Sequence, residues 1–235
     1  MSKFRSNELR IDSKPDRTPV TEADLAAEQA MLALLEAERP DDAILSEEAG
    51  ESGSSERRWI IDPIDGTKQF LRGIPSWATL IALRVADQTT VGLVSAPALG
   101  RRWWATLGGG AFSNEGTRLS VSAVNRLEDS MLLHAELSAW ASRGGSQRLA
   151  SLAERCWQSR GYGDFWIHCL VAEGSAEIAA EPGPSLWDLA APALIVEEAG
   201  GTFTSLDGVD GPGHGSALSS NGLLHSEALS ALGLA

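Results

Sequence analysis

The chain is short of positive charge: 19 Lys and Arg stand against 32 Asp and Glu, a formal net charge of −13. That balance excludes the basic footprint of a nucleic-acid binder and disfavours an anionic membrane surface. Any anionic substrate would therefore need a place where the field is locally reversed. Cysteine is scarce as well. Cys156 and Cys169 lie in apolar surroundings without His or Cys partners at zinc spacing, so they read as buried, reduced thiols of a cytoplasmic protein. No apolar run approaches the roughly 18 residues of a membrane span, and the start, MSKFRSNELR, lacks the apolar stretch of a signal peptide. The four histidines offer no Ser-His-Asp or Cys-His arrangement, which leaves covalent catalysis unsupported and favours water as nucleophile. His134, His214 and His225 read as core or loop residues; His168 gains a slightly stronger claim from its neighbours.

Repeats and long low-complexity tracts are also missing. Gly- or Ser-rich punctuation at 50–55, 108–110 and 208–215 reads as loops within one unit rather than as linkers. A stripe of Leu25, Met31, Leu32 and Leu35 behind Thr21 predicts an amphipathic helix over Thr21 to Arg39. Strands are predicted at Ala43 to Ser46, Trp59 to Ile61, Trp77 to Val85, Thr90 to Ser95, Arg101 to Thr106 and Ser130 to His134, the later ones as an antiparallel meander. The second half mixes types, with helices at Gly145 to Ser159, Phe165 to Ala172 and Leu189 to Ala199 and a strand at Ala176 to Ala180. An α/β or α+β fold of packed layers follows, a single domain with an N-terminal α+β part of about residues 1–135 and a C-terminal α/β part of about 136–235.

The chemistry concentrates where apolar runs end in acids. In WIIDPIDGTKQF, Pro63 fixes φ and cannot donate a ladder hydrogen bond, so the strand is expected to end there, with Asp62 and Asp65 on the turn beyond. Two carboxylates three positions apart can converge on one hard cation; alternatively Asp65 serves the turn and Asp62 is solvated. If a helical turn begins at Gly66, the amides of Gly66, Thr67 and Lys68 form an anion cradle beside those carboxylates. Cradle and metal together suit phosphate-ester hydrolysis, in which metals neutralise phosphoryl oxygens and activate a water.

The strand at Ala43 to Ser46 likewise runs into Glu47 and Glu48. Glu47 is the candidate ligand and partner of the water, against a charged loop as the plainer reading, and Thr67 either holds that water or merely caps a helix. Asp188, before the apolar run LAAPALIV, is a ligand candidate or an N-cap. Pro192 is expected in the first turn of that helix, whose small Ala190, Ala191 and Ala193 permit close approach. Asp24 completes a capping box with Thr21, and a weak third metal is its other reading.

ILSEEAG, WIIDPIDGT and LWDLAAPALIVEEAGG, in that order and spacing, resemble the signatures of the inositol monophosphatase superfamily of Mg²⁺-dependent phosphatases, over nearly the whole chain. The resemblance implies a layered α-β-α-β-α sandwich. It implies Glu47, Asp62, the Ile64 carbonyl, Asp65 and Asp188 as metal ligands, Thr67 and Glu47 as orienters of the water, and the Gly66, Thr67 and Lys68 amides as the phosphate site. Lys14 and Asp24, in SKPDRTPVTEAD, match a segment that closes on a third, weaker metal. The superfamily also has a full helix before the strand that FRSNELRI reads as, whereas this chain opens at that strand.

Within the superfamily, RGYGDFWIHCLVAEGSAEIAAEP resembles bacterial histidinol-phosphate phosphatases, with Asp164 as the informative residue. A carboxylate there favours a cationic leaving group over a neutral polyol. Arg160 and Glu181 fall at the substrate rim by the same resemblance, or are plain surface residues. The expected reaction is hydrolysis of L-histidinol phosphate with Mg²⁺, or Mn²⁺, by a cytoplasmic homodimer acting on a small phosphorylated metabolite. Rival readings are an inositol-1-monophosphatase, a 3′(2′),5′-bisphosphate nucleotidase and, from another class, a non-catalytic phosphate- or metal-binding regulator. The last would be expected to have lost a ligand or the water-activating pair.

Overall fold

The structure, a computed structural model, describes residues 1, 3–6, 9–13, 19–114 and 116–233. Strands β1 (Ile11–Ser13) and β2 (Pro19–Thr21) pair antiparallel and lead into α1 (Glu22–Glu38). The predicted capping box is present: Thr21 Oγ1 accepts from the Ala23 and Asp24 amides at 3.1 and 3.3 Å, and Asp24 Oδ2 accepts from Thr21 N at 2.8 Å. The predicted apolar stripe is not the buried face of this helix. Leu25 is exposed and Met31, Leu32 and Leu35 are half-buried, whereas Asp24 and Glu28, one turn apart, are buried. Residues 3–5 form a turn where an extended strand was expected, because Phe4 packs its ring on Phe70 and Trp77, at 5.4 and 5.5 Å between centroids. Asn7 and Glu8, within that expected strand, lie outside the described residues.

The chain then lays down β3 (Ala43–Ser46), β4 (Gly50–Ser52), β5 (Arg57–Asp65), α2 (Thr67–Leu71), β6 (Ala78–Val85), β7 (Gln88–Ala96), β8 (Arg101–Thr106), β9 (Gly110–Ser113) and β10 (Thr117–Arg118). These strands form one sheet in the order β10-β9-β8-β7-β6-β5-β3-β4, so part of the loop expected at 50–55 is an edge strand. The meander from β5 to β10 is antiparallel, whereas β3 and β5 run parallel with Ser46 opposite Ile61. That register sets the two acid-bearing strand ends side by side. The strand does not stop at Pro63. It continues to Asp65 across a register shift between Asp62 and Asp65, where the ladder makes no demand on the missing proline N–H, and Thr79 Oγ1 donates to the Pro63 carbonyl at 2.8 Å.

The second half contains β11 (Met131–His134), α3 (Leu137–Ser142), α4 (Ser146–Arg155), β12 (Gln158–Gly161), α5 (Asp164–Ala172), β13 (Ile178–Pro182), α6 (Leu186–Glu198), β14 (Thr202–Thr204), β15 (Ser216–Ser220) and α7 (His225–Ala231). Here β11 leaves the meander for a second sheet, ordered β12-β11-β13-β15-β14, in which it pairs parallel with both neighbours. The helix expected to reach Ser159 ends at Arg155, since Gln158 to Gly161 pair with β11 instead. The expected strand at Ala176 to Ala180 sits two residues later. Helix α6 starts a turn before Leu189, which places Pro192 in its second turn.

Helix α1 lies against β5, α5 and α6 are sandwiched between the two sheets, and α3, α4 and α7 cover the second sheet, giving the predicted α-β-α-β-α layering. The main core runs from Ile60, Leu80 and Trp103 to Phe165, Ile167 and Ile195, each buried side chain worth about 2–3 kcal/mol. The small residues of α6 act as expected: a Cβ on Gly92 of β7 would come within 2.9 Å of the Ala191 carbonyl oxygen. This close packing fixes α6, and hence Asp188, against the sheet that carries Asp62 and Asp65. Cys169 is buried and Cys156 half-buried, and both are free thiols.

Candidate metal centre and phosphate cleft

Asp62 and Asp65, on either side of the bulge in β5, meet Asp188 from the first turn of α6. Each contributes a carboxylate oxygen, and the three oxygens lie within 4.8 Å of one another. Asp188 is not the N-cap of α6. Ser185 holds that position, and Asp188, three residues on, accepts from the Ser185 amide at 2.6 Å. Asp65 Oδ2 accepts from the Phe165 amide at 2.7 Å, which ties β5 to the start of α5. Asp62 Oδ1 is buried and has no hydrogen-bond partner among the described residues.

Burial pushes Asp62 well above the usual carboxylate range, and the charges of Asp65, Glu47 and Asp188 push it further. Burial does the same to Asp65, reinforced by Asp164 and Asp188. Asp188 is raised to about 7, again chiefly by burial. So many acids at one point cannot all ionise unless a cation joins them. An orphaned buried carboxylate oxygen within an all-oxygen donor set fits a hard divalent ion.

Glu47 follows directly from the parallel pairing of β3 with β5: its amide donates to Ile61 O at 3.1 Å, and its side chain lines the cleft beside the acids. Thr67 Oγ1 lies 3.1 Å from Ile64 O and 3.4 Å from Asp24 Oδ1, so the capping aspartate of α1 also reaches the site. Glu28 was missed by sequence reasoning. Its buried Oε1 accepts from Ser46 Oγ and from the Glu48 and Ala49 amides at 3.2 and 2.9 Å, which holds the turn carrying Glu47. Its spacing of four from Asp24 on one helix face was the available signal.

Gly66, Thr67 and Lys68 begin α2, where amides have no intrahelical acceptor. Gly66 has φ +83°, and a Cβ there would come within 2.9 Å of Ser76 O, so both conformation and space call for glycine. These residues line a cleft of about 900 Å³ with Gln69, His134, Glu136 and Asp164. Lys68 Nζ pairs with Glu136 across it at 2.9 Å. His134, expected in core or loop, is therefore a cleft residue, whereas His214 lies on a loop and His225 is buried between Thr204 and Ser220.

Asp164 is raised to about 7 by burial and by the Glu181 and Asp188 charges. It has φ +53° and accepts from Gln69 Nε2, a partner that sequence reasoning did not find. A Cβ at Gly66 would be 3.4 Å from its Oδ2, which measures how closely this carboxylate approaches the cradle. Glu181 is half-buried behind it and meets His168 Nε2 at 3.3 Å; His168 Nδ1 meets Ser219 Oγ at 2.8 Å. Arg160 is exposed on β12, where its Nη1 donates to Ser159 O at 2.7 Å. Lys14 lies outside the described residues.

Residues 1–233 match the inositol monophosphatase family. The chain belongs to that family. It is 53% identical over 235 residues to a histidinol-phosphatase of Mycobacterium tuberculosis, covering 98% of this chain and 90% of the relative. A histidinol-phosphatase of Streptomyces coelicolor is 51% identical over 237 residues, covering 97% and 89%. Among solved structures, an inositol monophosphatase from Zymomonas mobilis superposes with a TM-score of 0.88 at 31% identity, over 99% of this chain and 91% of that one. The family is one of metal-dependent phosphatases, and the Asp62, Asp65 and Asp188 cluster could hold such a metal ion.

Proposed function

We propose that this protein hydrolyses L-histidinol phosphate to L-histidinol and phosphate. The observation that carries the choice of substrate is Asp164, a carboxylate set against the phosphate cradle where the leaving group of a bound phosphomonoester would emerge. An ammonium-bearing alcohol fits that position; a neutral polyol gains less, and a second phosphate would be repelled. The named activity of the relatives at 51 and 53% identity supports the same choice.

In this reading Glu47, Asp62, the Ile64 carbonyl, Asp65 and Asp188 hold divalent cations, Mg²⁺ or Mn²⁺, with Asp24 at a weaker third site. Bound there, the cations neutralise phosphoryl oxygens, lower the pKa of a water and stabilise the leaving alkoxide. Glu47 and Thr67 orient the attacking water, and the Gly66, Thr67 and Lys68 amides bind the phosphate. Asp164 faces the leaving group, with Glu181 behind it and Arg160 on the exposed rim at β12. The reading includes a cytoplasmic homodimer, for which light scattering at twice the chain mass is the check. Phosphate release from histidinol phosphate, inositol 1-phosphate and adenosine 3′,5′-bisphosphate at equal enzyme tests the substrate; the first should give the highest kcat/KM.

A further inference from the structure

The motif GYGDFW contains more than Asp164. Tyr162 and Trp166 flank it and both line the cleft, with ring centroids 5.3 Å apart and planes inclined by 28°. Trp166 is half-buried and packs against the main core, so it is a fixed backing, while Tyr162 stacked on it is 43% exposed. The two glycines around Tyr162 leave it little cover. Gly161 lies flat against the His134 ring, where a Cβ would come within 2.9 Å of Cε1, and Gly163 has φ +75°. Leu137, 62% exposed, adds apolar surface to the same cleft. Tyr162, Trp166 and Leu137 thus gather aromatic and apolar surface on one cleft, beside the amides of Gly66, Thr67 and Lys68.

We propose that Tyr162 and Trp166 form an aromatic wall that selects a planar, cationic ring on the leaving group, the imidazole of histidinol phosphate. The inference rests on the proposed function and names which part of the substrate is read there. Stacking recognises the ring by its face, and the Asp164 carboxylate of the same cleft favours a positively charged ring over a neutral purine or polyol. Division of labour follows: the cradle holds the phosphate, Asp164 the ammonium and the wall the ring.

The test is steady-state kinetics on two substrates, histidinol phosphate and alaninol phosphate, which keeps the phosphate and ammonium but has no ring. Tyr162 stands exposed in the short link between β12 and α5, so its replacement leaves the core intact. Tyr162→Leu should raise KM for histidinol phosphate about tenfold with kcat within about twofold, and should change kcat/KM for alaninol phosphate by less than about twofold. Tyr162→Phe and Trp166→Phe, which keep a ring face, should stay within about threefold of wild type on both substrates. Equal losses on the two substrates, no loss on either, or a Tyr162→Phe as poor as Tyr162→Leu would overturn the wall. A wild-type protein that hydrolyses histidinol phosphate no better than inositol 1-phosphate would instead overturn the proposed function, and the wall's ligand with it.

Discussion

Stripped of divalent cations, the protein should lose stability as pH rises from 5 to 8. Asp164 and Asp188 titrate at about 7 in the folded chain, against an ordinary value of 3.8. Between those values the folded state holds protons that the unfolded state has released, so stability is fullest at low pH and drains away as pH climbs through 7. Each proton so retained costs about 1.4 kcal/mol per pH unit, or about 3 kcal/mol for one such group between pH 5 and 7. For a chain of this size that is a fall in Tm of roughly 6–12 °C. His225 works the other way: burial lowers its pKa, so it adds stability as pH rises past its ordinary range. Asp188→Asn separates the two, because it removes one acid and leaves His225 in place. Thermal unfolding in EDTA at pH 5, 6, 7 and 8 should show a downward slope for the wild type and a shallower one for Asp188→Asn. Saturating Mg²⁺ should abolish or reverse the wild-type slope, since ligands bind metal deprotonated. A flat or rising Tm in EDTA, or an Asp188→Asn slope equal to wild type, would show that these carboxyls do not hold their protons in the folded chain.

Asp65→Asn should lower kcat/KM on the order of 10³-fold and lose most of the Mg²⁺-induced rise in Tm, while circular dichroism shows the fold retained through the Phe165 amide bond. Asp164→Asn should raise KM for histidinol phosphate about tenfold or more and leave inositol 1-phosphate nearly unaffected; matched losses would take Asp164 out of the specificity argument. Gly66→Ala should cost about 1–3 kcal/mol in urea unfolding and depress turnover, because its Cβ would meet Ser76 O at 2.9 Å in a left-handed conformation. Glu28→Gln should lower activity through the Glu47 turn with every proposed ligand still present, and an unchanged kcat/KM would leave that turn independent of α1.

What was legible in the sequence was the set of places where apolar runs collide with acids. Asp62, Asp65 and Glu47 stand at the ends of apolar runs and Asp188 at the head of one; short-range pattern marks them as candidates, and the resemblance to the family singles them out as ligands. The parallel pairing that sets Glu47 beside Asp62 is a long-range choice that neither strand records. Pro63 misled in the opposite direction, since a strand can pass a proline when a bulge takes it out of the ladder. Helix α1 misled more thoroughly: its leucines gave the expected stripe, but hydrogen bonds to Thr21 and to Ser46, Glu48 and Ala49 hold Asp24 and Glu28 inward and Leu25 stays outside. Nothing in the sequence singles out Tyr162 and Trp166 beside Asp164, and only the cleft gives them a face. His134 was hidden because it closes a strand of the second sheet, beyond the meander to which its sequence neighbours pointed.

We propose a di-acid bulge with an amide cradle that hydrolyses a phosphomonoester whose leaving group is cationic. The direct measurement is metal-dependent phosphate release from histidinol phosphate beside inositol 1-phosphate and adenosine 3′,5′-bisphosphate, with one enzyme preparation and saturating Mg²⁺. The kcat/KM for histidinol phosphate is expected to exceed both others by at least about tenfold and to vanish in EDTA. Equal rates on all three, a preference for the bisphosphate, or release that survives EDTA would contradict it.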